Sequence, residues 1–240
     1  MSWVSNYLSS SLGRKFIMSI TGIGLILFLV GHVSGNLLLF KNDGGVAFNE
    51  YAHFMGTNPI VRIPEVIIFL GFIFHIVDGI MLTIKNRKAR SQGYVKNAGG
   101  ANSTWASRSM GFLGIILLIF LVIHLSNFFV KARLAEAGEG KAIEYAKTPA
   151  GEPMIAADGE PIKDLYAVVE SEFEVPWYSA LYVICMIALA FHLYHGFWSA
   201  FQTLGVNHPK YNGAIKATGV AFCIIVPALF ATMPLYFLFL

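Results

Sequence analysis

Five stretches, 16–40, 63–84, 109–130, 176–204 and 217–240, are each long and apolar enough to cross a bilayer, which takes about 20 helical residues. In lipid the backbone must satisfy its own hydrogen bonds, so such segments fold as helices. The 240 residues are 56% hydrophobic and 13% charged, with a mean hydropathy of +0.62. That is more apolar surface than a soluble domain can bury. The sequence reads as an all-α integral membrane protein: one membrane domain, 1–240, with five transmembrane helices, four of them forming a bundle.

The polar segments set the order and orientation. Residues 1–11 form a short amphipathic lead (Trp3, Val4, Tyr7, Leu8) rather than a cleavable leader, and Arg14 and Lys15 mark a membrane edge. The loop 41–62 is expected to carry a short surface helix around 48–55. Pro64 suits the first turn of the second span, where its missing N–H costs nothing. The loop 85–108 is basic, with Lys85, Arg87, Lys88, Arg90, Lys96 and Arg108 and no acidic residue, whereas 131–175 is acidic and reads as partly disordered or as a small cap. Trp177 and Tyr178 open the fourth span as an interfacial aromatic pair. Pro227 and Pro234 are expected to bend the fifth. The positive-inside rule puts the N-terminus in the cytoplasm and the C-terminus outside.

Histidines set within these spans carry the functional signal, because an ionisable residue in a membrane is costly and usually has a role. Each of the first four spans holds one near its middle: His32, His75, His124 and His192. At about 1.5 Å per residue, His32 and His124 lie roughly 25 Å and 24 Å from the cytoplasmic edge, and His75 and His192 about 15 Å from it. Two levels about 10 Å apart suit two stacked haems, each clamped between two histidines of a four-helix bundle.

On the fourth helix, in the run FHLYHGFWSAFQT at 191–203, His192 competes with His195. The second helix reads Phe74-His75-Ile76-Val77-Asp78-Gly79 and the fourth Phe191-His192-Leu193-Tyr194-His195-Gly196, so glycine follows histidine by four positions in both. That glycine leaves room for a macrocycle on the same face. His192 is therefore the expected ligand, and His195 corresponds to Asp78. Ser19, Thr21 and Arg108 fall near the cytoplasmic ends of their helices, where they could meet the propionates of the inner haem, although Arg108 also reads as a simple membrane anchor. Ser34, Asn36, Ser126 and Asn127 surround the outer pair with polar groups. His53 and His208 read as solvated loop residues. The fifth span has no histidine and is expected to pack outside the bundle. Cys185 and Cys223 read as small core residues, and no CxxCH occurs for covalent haem attachment.

Ser19-Ile20-Thr21-Gly22 leading to Gly31-His32, then Phe74-His75, His124 and the run from Phe191, resemble the cytochrome b membrane-anchor subunit of succinate:quinone oxidoreductases, the succinate dehydrogenases and fumarate reductases. The five-span, single-subunit, dihaem type is the nearest likeness, and it covers nearly the whole chain except 131–175. The resemblance implies two b-type haems, an inner one on His75 and His192 and an outer one on His32 and His124. It implies an FAD-bearing flavoprotein and an iron–sulfur subunit docked on the cytoplasmic face of the inner (cytoplasmic) membrane, and a quinone, menaquinone in the dihaem type. It also implies a carboxylate between the first two helices for proton exchange with quinol, and Glu50 has a comparable place. The chain would supply the quinone site but not the succinate or fumarate site. No nucleic-acid partner is expected. Two other readings stay open: the cytochrome b anchor of another respiratory dehydrogenase, and a haem-free proton or ion transporter with the histidines and Asp78 as a relay.

Overall fold

The computed structural model describes residues 3, 6, 7, 10–89, 99–138 and 142–239. Most of the amphipathic lead, and Arg90 and Lys96 of the basic loop, lie outside them. The described residues hold five helices long and apolar enough to span a membrane. Helix α1 runs Ser11–Asn36 and ends in a 3₁₀ turn, Leu37–Phe40. Helix α2 is Val46–Thr57 and α3 is Pro59–Lys88. Two single-turn helices, Gly99–Asn102 and Trp105–Arg108, precede α4, Met110–His124. A π-helical stretch, Leu125–Val130, continues α4 into α5, Lys131–Glu136. Helix α6 is Leu165–Phe173, α7 Pro176–Thr203 and α8 Pro209–Phe239. Among the described residues there is no strand, only three isolated antiparallel bridges.

Local chemistry explains several boundaries. The first turn of α3 is set by Asn58, whose side-chain oxygen accepts from the Ile60 N–H at 2.9 Å, and by Pro59 in the opening position. Pro64 therefore stands inside the helix rather than at its start, because Asn58-Pro59 begins the helix a turn earlier than the apolar pattern does. Helix α8 runs unbroken through Pro227 and Pro234.

The chain divides into two compact units. The first comprises 1–28, 66–118 and 187–227, and the second 29–65, 119–186 and 228–240. In the first unit Arg14 reaches Asp78, Trp105 packs edge-on against Phe191, and Phe197 lies against Phe222.

The second unit contains a folded cap built from the acidic segment. Bridges join Tyr145 to Lys163, Lys147 to Pro153 and Ile155 to Pro161, around a small core of Ala146, Met154 and Ile162. Asn49, 1% exposed, ties α2 to this cap: its Nδ2 donates to Asp164 at 2.9 Å and its Oδ1 accepts from the Tyr166 N–H at 2.8 Å. Asp164 also caps α6 by accepting from the Ala167 N–H. Before α2, Gly45 has φ +84°, and a Cβ there would collide with the Tyr166 ring. Only glycine suits that position.

Two sequence expectations need correction here. Tyr178 is 2% exposed, so it is a core residue, and Trp177 alone, at 69%, faces outward. Nor does the last helix stand apart. A third of the apolar window of α8 is buried within the chain, against 6% for α3. Its Tyr236 meets Phe40 and its Phe237 meets Tyr166 and Phe173. Both points turn on which helix face meets protein, and an all-round apolar span does not encode that.

Candidate functional site

The four mid-span histidines come together in twos. In the second unit, His32 of α1 and His124 of α4 have ring centres 5.8 Å apart, with planes at 87°. In the first unit, His75 of α3 and His192 of α7 have ring centres 6.2 Å apart, with planes at 64°. Two imidazoles ligating one metal from opposite sides need two bonds of about 2 Å plus the inner half of each ring, roughly 6 Å between centres. Among the described residues no three His, Cys, Asp or Glu side chains gather as a free-ion site would need. Pairs of histidines are what remains to be supplied when a macrocycle brings its own four nitrogens. Both pairs have ring separations of the size that two imidazoles on one metal would need.

Each pair has its own surroundings. The Thr21 hydroxyl donates to the Ile17 carbonyl at 2.8 Å, and its oxygen lies 3.2 Å from His75 Nδ1. An oxygen whose proton is already engaged accepts from the ring, which keeps the proton on Nδ1 and leaves Nε2 with a free lone pair. Thr21 thus touches a histidine ring directly. A Cβ on Gly22 would lie 3.5 Å from His75 Cε1. His192 Nδ1 is buried with no hydrogen-bond partner, an orphaned polar atom at the heart of the site. Asn36 Nδ2 donates to the His32 carbonyl at 2.8 Å and sits 3.4 Å from its Nδ1. Phe230 of α8 packs 5.5 Å from the His32 ring, so the helix without a histidine also lines a pair. His124 stacks on Phe120, and its Nδ1 is 3.1 Å from the Tyr182 hydroxyl.

The remaining candidates are dispersed. Ser19 is 4% exposed and its hydroxyl donates to the Lys15 carbonyl. Arg108 is exposed and hydrogen-bonds the Ser103 carbonyl and hydroxyl. Glu50 lies on the exposed side of α2, next to buried Asn49. His53 is not a solvated loop residue: it sits on α2 with its side chain 16% exposed, and its Nε2 is 3.5 Å from Asp158. The cap folds back over α2 and supplies that partner from 105 residues away in sequence.

Two features escaped the sequence reading. Asp78, 6% exposed, is neutralised by Arg14 at 2.8 Å. An acid inside a span requires a partner, so Arg14 at the near end of the first span was a findable answer. Tyr182 had no signal beyond lying one turn after Tyr178.

Five long apolar helices, with mid-span histidines in two close pairs, define a multi-span helical membrane protein. Among curated proteins the chain is similar to the succinate dehydrogenase cytochrome b558 subunit of Bacillus subtilis (strain 168), 28% identical over 184 residues, covering 75% of this chain and 73% of that protein. No protein-family model matches the chain. No solved structure matches it.

Proposed function

We propose that this chain is the cytochrome b anchor of a succinate:quinone oxidoreductase, a succinate dehydrogenase or fumarate reductase, carrying electrons between an iron–sulfur subunit and a membrane quinone. The similarity to a succinate dehydrogenase cytochrome b subunit over three quarters of the chain supports this reading. The observation that carries it is the pairing of mid-span histidines at ring separations of 5.8 and 6.2 Å.

On this reading His32 and His124 would hold one b-type haem, and His75 and His192 the other. Haem bound there supplies a one-electron carrier inside the apolar layer. Thr21 orients His75. Ser19 and Arg108 are the candidate propionate contacts; Ser19 would have to release the Lys15 carbonyl to donate, and Arg108 already has donors engaged on Ser103. Glu50 exchanges protons with the quinone, menaquinone in this reading, a task that needs an accessible titratable group. The chain is one membrane domain of the inner (cytoplasmic) membrane, with its N-terminus inside. A flavoprotein and an iron–sulfur subunit dock on the cytoplasmic side and carry the succinate–fumarate chemistry.

A pyridine haemochrome assay with a dithionite-reduced spectrum tests the reading. Two low-spin b haems per chain are expected. His192→Ala should remove one haem, and His195→Ala should leave both. A folded chain without haem would overturn the proposal, and loss of a haem from His195→Ala alone would move the ligand to that residue.

A further inference from the structure

His124 stands at the end of a continuous hydrogen-bonded chain within the second unit. Lys131 Nζ donates to Glu172 Oε1 at 2.8 Å, and Asn127 Nδ2 donates both to Glu172 Oε2 at 3.2 Å and to the Tyr178 hydroxyl oxygen at 3.0 Å. The Tyr178 and Tyr182 hydroxyls are 3.0 Å apart, and Tyr182 is 3.1 Å from His124 Nδ1. Both phenols are buried, at 2% and 5% exposed. Phe120, Phe128 and Phe173 pack around Tyr182. Packing alone would be met by phenylalanine. Two phenols one turn apart on α7, with both hydroxyls engaged, serve a polar purpose.

The backbone adds a second observation. The π-helical stretch Leu125–Val130 begins directly after His124 and contains Asn127. A π-turn changes the angle at which the following side chains leave the helix, and such turns recur at functional sites. Here the residue on it, Asn127, supplies the link between Tyr178 and the Lys131–Glu172 ion pair.

We propose that Tyr182 is a positioning residue for His124: its phenol oxygen, held by Tyr178, which Asn127 holds in turn, accepts the His124 Nδ1–H and so fixes the ring's plane and tautomer. This rests on His124 being a haem ligand. The proton order then follows. His124 donates to Tyr182, Tyr182 donates to Tyr178, and the two lone pairs of the Tyr178 oxygen receive Tyr182 and Asn127. The reverse order, with Tyr182 donating to Nδ1, would leave the proton on Nε2 and block ligation. An acceptor on the far nitrogen makes the ligating one more basic, which favours oxidised iron. Removing the acceptor should therefore raise the midpoint potential of one haem only.

The test is Tyr182→Phe in the purified haem-loaded protein, read by haem count, redox titration and electron paramagnetic resonance. The expected result is two haems per chain, one midpoint shifted upward, one low-spin signal displaced, and the other haem unchanged. Tyr178→Phe, which leaves the contact itself in place, should shift the same haem the same way by less, and it carries the test if Tyr182→Phe does not accumulate. Two haems with unaltered potentials and signals in both variants would overturn the inference. Absence of haem from the unmutated protein, or retention of both haems by His124→Ala, would instead overturn the ligand assignment beneath it.

Discussion

Asp78 is tolerable in its span because Arg14 reaches it from another helix at 2.8 Å. Removing one member of a buried pair strands the other, which costs more than deleting both. Arg14 retains 23% side-chain exposure against 9% for Asp78, so the penalty belongs at the low end of the buried-pair range. Arg14→Met should lower stability by about 2–3 kcal/mol, seen as a reduced thermal midpoint in detergent, and adding Asp78→Asn should recover most of it. Unchanged stability in Arg14→Met would show that water or another cation already serves Asp78. The folded cap likewise shields the His53 ring and sets it 3.5 Å from the exposed Asp158.

At the scale of elements, the cap shows how an acidic stretch becomes ordered. Its three bridges enclose only a few apolar side chains, and Asn49 and Asp164 supply the polar ties to α2 and α6. Within α6, burial pushes the Glu170 carboxyl above the usual glutamate range, with Glu174 and Asp164 adding repulsion. A carboxyl whose folded pKa is raised favours the fold while protonated, and that advantage is lost as pH rises through the raised value. Glu170→Gln should therefore raise the thermal midpoint at neutral pH, and the gain should shrink as pH falls toward about 4. A gain independent of pH would point to packing rather than charge.

For the molecule as a whole, the proposed orientation has five spans with the termini on opposite sides of a membrane and the basic loops on the cytoplasmic side. Lys88, at the end of α3, and Lys147, in the cap, are both exposed. Native Cys185 and Cys223 are each 3% exposed and give little labelling background. In intact cells an impermeant maleimide should label Lys147→Cys readily and Lys88→Cys only after permeabilisation. The opposite pattern would invert the proposed orientation and move the docking face for soluble subunits to the cap.

The amino-acid sequence by itself determined the helical class, the number of apolar spans and the expected depth of each histidine. All three follow from local quantities: hydropathy, segment length and a fixed rise per residue. Depth is one coordinate, and it says only which histidines share a level. The ring separations, the Thr21 contact to His75, the phenol pair behind His124 and the approach of Phe230 to His32 needed the tertiary structure. The physical reason is that lipid and protein interior are equally apolar. A membrane helix therefore carries only a weak sequence record of which face meets its neighbours, and the azimuth of each side chain is decided when the helices pack.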